Sequence, residues 1–194
     1  ALISNNNIWI GSILFCASLN HKQMSLYMAP AFFAFLFGIC LQQKTFFRKI
    51  ILLLSIGTVV AASFLIFWAP FSTSMHDVFA VINRIFPTQR GLFEDYVANF
   101  WCVSSLVIKW KKLIALPQQM LSICTLTTLF AFLPSVILTI ARPTQRAFLL
   151  CLANAAFSFF LFSYQVHEKS ILLPLLPSTL LFAEQQAMAQ PLLI

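Results

Sequence analysis

His167, Glu168 and Lys169 stand side by side between two apolar runs, in a chain of 194 residues that carries only five acids. Removing an imidazole, a carboxylate and an ammonium from water is costly unless each meets a partner. Such a triplet could hold a phosphate between Lys169 and His167 while Glu168 orients one of them. A loop that only caps two helices is the plainer alternative. A second constellation joins Arg84, Arg90, Glu94 and Asp95 to the aromatic residues Phe100 and Trp101, with Gly91 permitting a sharp turn. Guanidinium forks match phosphate oxygens in pairs, although a salt-bridged helix covering a bundle would use the same residues. The third group is Asn20-His21-Lys22-Gln23. Lys22 and Gln23 could touch a substrate there, or Lys22 could be a helix-end lysine reaching for water. His76, beside Asp77, reads as a solvated loop histidine.

Other chemistries lack their residues. The chain has no Gly-rich phosphate loop, no His-Glu-x-x-His and no Gly-x-Ser-x-Gly, so a nucleotide-driven pump or a metalloprotease has no support. Cys16, Cys40, Cys102, Cys124 and Cys151 lie inside or beside apolar runs without a Cys-x-x-Cys spacing or a second metal ligand. They read as small buried hydrophobes. Neither a metal nor a cofactor is expected, and chemistry on a lipid phosphate remains open.

The elements that must position these groups are membrane helices. Hydrophobic residues make up 60% of the chain and charged ones 9%, against roughly 25% charged in an ordinary soluble domain. With 22 Phe, the apolar side chains left over once a core is filled need lipid around them. The twelve Lys and Arg, which give a net charge of +7, sit in short knots between apolar runs and form no continuous basic face. Nucleic acid is therefore not an expected partner, and the lipid bilayer is.

Trp9 to Leu19 is apolar but short for a bilayer core of roughly 30 Å. Met24 to Leu41 reads as a span kinked at Pro30, and Ile50 to Pro70 as the clearest span. Val97 to Ile108 would cover only about 18 Å as a helix. Leu113 to Ala141, containing Pro117 and Pro134, and Ala147 to Val166 are long enough to cross. Ser170 to Ala183 resumes the apolar pattern, and the residues beyond Ala183 are too few for a further crossing. Nothing alternates as a strand would, so the expected fold class is all-α, a polytopic transmembrane bundle with residues 1–194 as one region and 71–96 as its principal loop. Short cytoplasmic loops collect Lys and Arg, which puts Lys44 to Lys49 in the cytoplasm. Asn20 to Gln23 and the residues after Pro70 then share the opposite, lumenal side. For Glu94-Asp95 and His167-Glu168-Lys169 to share a side, the 97–108 run must not cross. Lys109, Lys111 and Lys112 are then lumenal, against the charge rule, and Arg142 and Arg146 cytoplasmic, in accord with it.

Three segments carry a resemblance. They are Lys22-Gln23-Met24-Ser25-Leu26-Tyr27-Met28-Ala29-Pro30, then Gln89-Arg90-Gly91-Leu92-Phe93-Glu94-Asp95-Tyr96-Val97-Ala98-Asn99-Phe100-Trp101-Cys102, then Tyr164-Gln165-Val166-His167-Glu168-Lys169-Ser170. Together and in this order, the chain resembles the dolichyl-phosphate-glucose-dependent α-1,3-glucosyltransferases of the asparagine-linked glycosylation pathway. The Phe-Glu-Asp-x-Val-Ala-Asn-Phe-Trp-Cys wording looks like the branch that adds the first glucose to lipid-linked Man9GlcNAc2. The branch that adds the second glucose shares the His-Glu-Lys element and is less similar around Arg90.

The resemblance implies a GT-C type enzyme of the endoplasmic reticulum membrane with its site facing the lumen. Its donor would be dolichyl phosphate glucose and its acceptor the dolichol-linked oligosaccharide, and it would work by inversion without a metal. Family members are considerably longer, so the chain is expected to be their middle and later part. The catalytic base implied by the resemblance lies in an early lumenal loop with no counterpart among these residues. Arg84, Arg90, His167, Lys169, Lys22 and Gln23 would face substrate phosphates, with Glu168, Glu94 and Asp95 orienting them. Two other classes compete. A transporter or flippase of lipid-linked substrates would favour an inverted internal repeat, which is absent, and a purely structural subunit would need no such cluster of charges.

Overall fold

The computed structural model describes residues 7–71, 74, 76–80, 97–114 and 116–189. Among them every regular element is helical. In chain order these are α1 (Ile8–His21), α2 (Ala29–Leu41), α3 (Phe46–Trp68), α4 (Phe100–Ser104), α5 (Trp110–Leu113), α6 (Pro117–Ala141), α7 (Gln145–Phe162) and α8 (Leu172–Ala189). Short 3-10 segments at Gln23–Met28, Ala69–Phe71 and Glu168–Ile171 join or extend them, and a helical turn lies at 76–80. Four segments are long and apolar enough to cross a membrane: Gln23–Leu41, Phe46–Phe71, Pro117–Ala141 and Gln145–Phe162. Leu54, Leu65, Ile66, Phe130 and Leu138 on these helices are exposed, as expected where lipid takes the place of a protein core. The chain is a helical membrane protein.

Several boundaries differ from the sequence reading, each for a local reason. Pro30 does not kink a continuous helix. It occupies the first turn of α2, after a 3-10 segment, where its missing N–H has no intrahelical partner to lose. The second span begins at Phe46 instead of Ile50, because the Thr45 hydroxyl caps it by accepting from the Arg48 N–H at 3.4 Å. Pro117 opens α6 as its first residue, so Leu113 belongs to the separate turn α5. The 97–108 run yields only the five-residue α4, far too short to cross. α7 stops at Phe162 and leaves Ser163 to Val166 outside any helix. Beyond it α8 runs to Ala189, further than the apolar pattern to Ala183 suggests.

The residues form two compact units, Ala1–Leu26 with Leu36–Gln89, and Tyr27–Phe35 with Arg90–Ile194. In the first, α1 packs on α3 around Ile8, Cys40 and Ile56. The Trp68 indole donates to the Asn20 side chain at 2.6 Å, so the last turns of α1 and α3 lie at the same end. This is the arrangement that the shared side of Asn20 to Gln23 and Pro70 requires. In the second, α6 and α7 form an antiparallel hairpin closed by a turn at Arg142 to Thr144, and α8 packs on α7. Its core joins Ala31 and Ala34 of α2 to Phe132, Val136, Cys151, Leu152 and Ala155. Small residues there let backbones approach closely, as membrane helix pairs need. Asn154 donates to the Ala131 carbonyl at 3.2 Å and to Ser135 at 2.9 Å, bridging the hairpin beside Pro134. Four of the five cysteines are buried as expected; Cys102 is half-buried.

Candidate functional site

The C-terminal end of α7 is where the described motif residues of the second unit meet. A helix ending in extended backbone leaves its last carbonyls without intrahelical partners, and Ser163, the residue after α7, is extended. Two aromatic side chains from distant parts of the chain take up carbonyls in this region. The Trp101 indole N–H donates to the Phe162 carbonyl at 2.8 Å. The Tyr27 hydroxyl donates to the Gln165 carbonyl at 3.3 Å, which the Ser163 hydroxyl also reaches at 3.3 Å.

Each donor is itself fixed. Trp101 is 2% exposed and lies at about right angles to Trp110 with ring centres 5.4 Å apart. The Trp110 indole in turn donates to the Ser104 hydroxyl at 2.9 Å. Asn99 starts α4 by accepting from the Cys102 N–H at 2.8 Å, which sets the rotation of Trp101. Met120 and Cys124 of α6 complete that pocket, with Tyr164 packed against it. Tyr27 stacks on Phe159 of α7 at 4.8 Å, and Phe159 stacks on Phe132 of α6 at 5.7 Å.

The backbone so held leads directly into the charged triplet. His167 caps the 3-10 turn Glu168–Ile171, with the Ser170 N–H donating to its carbonyl at 2.9 Å. The hydroxyl of Ser170, which is fully buried, donates to the same oxygen. His167, Glu168 and Lys169 all remain exposed. A rigid base thus presents an imidazole, a carboxylate and an ammonium outward, an arrangement suited to receiving an anion.

The other expected site residues fall elsewhere. Lys22 and Gln23 belong to the first unit and are exposed where α1 gives way to the 3-10 segment. The Lys22 N–H donates to the Ser18 carbonyl at 3.0 Å. Arg84, Arg90, Glu94 and Asp95 lie outside the described residues, as does most of the 71–96 loop. His76 is exposed, its ring 4.0 Å from the Asp77 carboxylate; it is solvated as expected, but it opens the helical turn at 76–80 and is not in a loop. Among the described residues, no group of three or more His, Cys, Asp or Glu could hold a metal ion. Sequence reasoning included Tyr27 and Trp101 in its motifs without seeing their task. The available signal was that both motifs hold aromatic residues with a polar tip, a type that seeks a hydrogen-bond partner when buried.

Comparison with known proteins identifies the family. The model of the ALG6, ALG8 glycosyltransferase family matches residues 1–194. A protein of Arabidopsis thaliana named "Probable dolichyl pyrophosphate Man9GlcNAc2 alpha-1,3-glucosyltransferase" is 47% identical over 87% of this chain and 31% of its own length. The "Dolichyl pyrophosphate Man9GlcNAc2 alpha-1,3-glucosyltransferase" of Gallus gallus is 43% identical over 93% of the chain and 35% of its own. The Mus musculus protein of the same name is 44% identical over 90% and 34%. The chain therefore spans about a third of the length of the curated relatives it matches. Matched by the family model throughout and similar to these relatives over most of its residues, the chain belongs to the ALG6, ALG8 glycosyltransferase family.

Proposed function

We propose that this chain serves an enzyme that transfers glucose from dolichyl phosphate glucose to the dolichol-linked oligosaccharide Man9GlcNAc2, adding the first α-1,3-linked glucose. The transfer takes place on the lumenal side of the endoplasmic reticulum membrane. The observation that carries this reading is the exposed His167-Glu168-Lys169 turn, held at the end of a membrane hairpin by residues of the other two motifs. The family is of the GT-C type, and the relatives' names specify a Man9GlcNAc2 acceptor, which favours the first-glucose over the second-glucose activity.

In this reading a carboxylate from outside these 194 residues takes the proton of the acceptor mannose hydroxyl. The mannose oxygen bonds to C1 of glucose from the face opposite the phosphate, the C1–O bond to phosphate breaks, and dolichyl phosphate leaves with the bonding pair. Negative charge grows on that phosphate in the transition state, and fixed cations beside it lower the barrier. Lys169 and His167 supply such charge or hydrogen bonds, with Glu168 beside them. Arg84 and Arg90 add bidentate forks, Glu94 and Asp95 orient them, and the 71–96 loop lies on the lumenal side. Lys22 and Gln23 approach a substrate phosphate from the start of the first long span.

The experiment is His167→Ala and, separately, Arg90→Ala in the full-length enzyme. Each is expected to lower glucose transfer at least about tenfold, the loss of one charge-assisted phosphate contact, at nearly normal expression. Parental rates in both variants would sink the phosphate role.

A further inference from the structure

We infer that Tyr27 is a positioning residue for the His167-Glu168-Lys169 turn, acting through the Gln165 carbonyl. This rests on the functional reading above and adds a residue that does not touch the substrate. Three observations carry it. The Tyr27 hydroxyl donates to the Gln165 carbonyl at 3.3 Å across 138 residues of sequence, and Gln165 lies two residues before His167. Residues 163–166 lie outside any helix, so the helical ladder of α7 does not set their path. The Tyr27 ring is locked in parallel on Phe159, with an interplanar angle of 5°, so its hydroxyl has a fixed direction from which to hold that path.

The arrangement separates two tasks within one side chain. The ring packs the 3-10 segment before α2 against α7, a contribution to folding. The hydroxyl adds one hydrogen bond to the backbone that feeds the charged turn, a contribution to where His167 and Lys169 stand. A catalytic geometry depends on such support to within a fraction of an ångström. Removing the hydroxyl alone should therefore leave the bundle intact and loosen the turn.

Tyr27→Phe keeps the stack and deletes the hydroxyl; Tyr27→Leu deletes both. In the full-length enzyme, Tyr27→Phe is expected to raise the KM for dolichyl phosphate glucose about fivefold, the effect of one neutral hydrogen bond, at a nearly unchanged melting temperature, because the Ser163 hydroxyl still donates to the Gln165 carbonyl. Tyr27→Leu should lower the melting temperature as well. In a His167→Ala, Lys169→Ala double-variant background, Tyr27→Phe should cost little more, because both cationic groups it positions are gone. An unchanged KM in Tyr27→Phe while the parent transfers glucose would overturn the positioning role and leave the functional reading standing. So would a full fivefold loss added to that of the His167→Ala, Lys169→Ala double variant. A parent enzyme that transferred no glucose from this donor would overturn the functional reading instead.

Discussion

Trp101 directs its only polar atom at a carbonyl that α7 cannot satisfy, and this makes it more than a filler of the Met120 and Cys124 pocket. Trp101→Phe keeps an aromatic ring in the pocket and leaves the Phe162 carbonyl without its indole donor. The expected cost is about 0.5–1.5 kcal/mol, the net worth of one hydrogen bond at a part-buried carbonyl, read as a lower melting temperature of the detergent-solubilised full-length protein. Trp101→Leu should be worse, since it also vacates volume beside Trp110. An unchanged melting temperature in Trp101→Phe would mean that the carbonyl finds water or another donor. The exposed residues of the turn should behave in the opposite way. His167→Ala removes nothing buried and should act on transfer with little effect on stability.

At the scale of elements, the α6–α7 hairpin is the frame on which this end of the chain depends. Between helices surrounded by lipid there is little hydrophobic drive to associate, so packing and the few interhelical hydrogen bonds count for more. Asn154 makes two such bonds to α6, and Thr139 of α6 reaches the Ala147 carbonyl at 3.2 Å. Asn154→Leu preserves approximate size and deletes both Asn154 bonds. It should destabilise the pairing by about 1 kcal/mol, measurable as earlier thermal unfolding in detergent, with transfer retained below that temperature. A melting temperature equal to the parent's would show that packing alone holds the hairpin. Pro134 is tolerated inside α6 because neighbouring groups can bond what a membrane helix loses at proline.

At the scale of the molecule, α7 is 18 residues long, about 27 Å at 1.5 Å per residue. Arg142 and Arg146 lie at its beginning and the charged triplet beyond its end. α5, with Lys109 before it and Lys112 within it, packs through Trp110 against Trp101 and hence at the triplet's end. The lysine knot and the triplet should therefore share one side of the membrane, and the arginine turn the other. Single cysteines at Lys112 and Thr144 in the full-length protein, probed in sealed microsomes, should label from opposite sides. Labelling of both from the cytoplasmic side would refute this topology. The relatives are about three times as long as the matched segment, and in the proposed reading the base comes from outside it. The isolated 194-residue chain should therefore transfer no glucose in an assay with labelled donor and acceptor, and measurable turnover would overturn that expectation.

The helical class, the membrane setting and three of the four long spans within a few residues were legible in the sequence, because each depends on the local density of apolar side chains along one run. The fourth, Gln23–Leu41, was legible as a run but not in its internal break, since Pro30 permits either a kink or a helix start and neighbouring packing decides between them. The charged triplet was also legible, as isolated charge between apolar runs is conspicuous. The contacts that hold it were not. The groups that Tyr27 and Trp101 bond are backbone carbonyls at Gln165 and Phe162, and every residue carries a carbonyl, so residue type gives no sign of which one is left open. That is decided only when α7 ends at Phe162 and distant segments pack around its last turn. The lysine knot shows the same division. Charge counting alone would send it to the cytoplasm, whereas the Trp101 and Trp110 contacts tie it to the end of the hairpin that bears His167, Glu168 and Lys169.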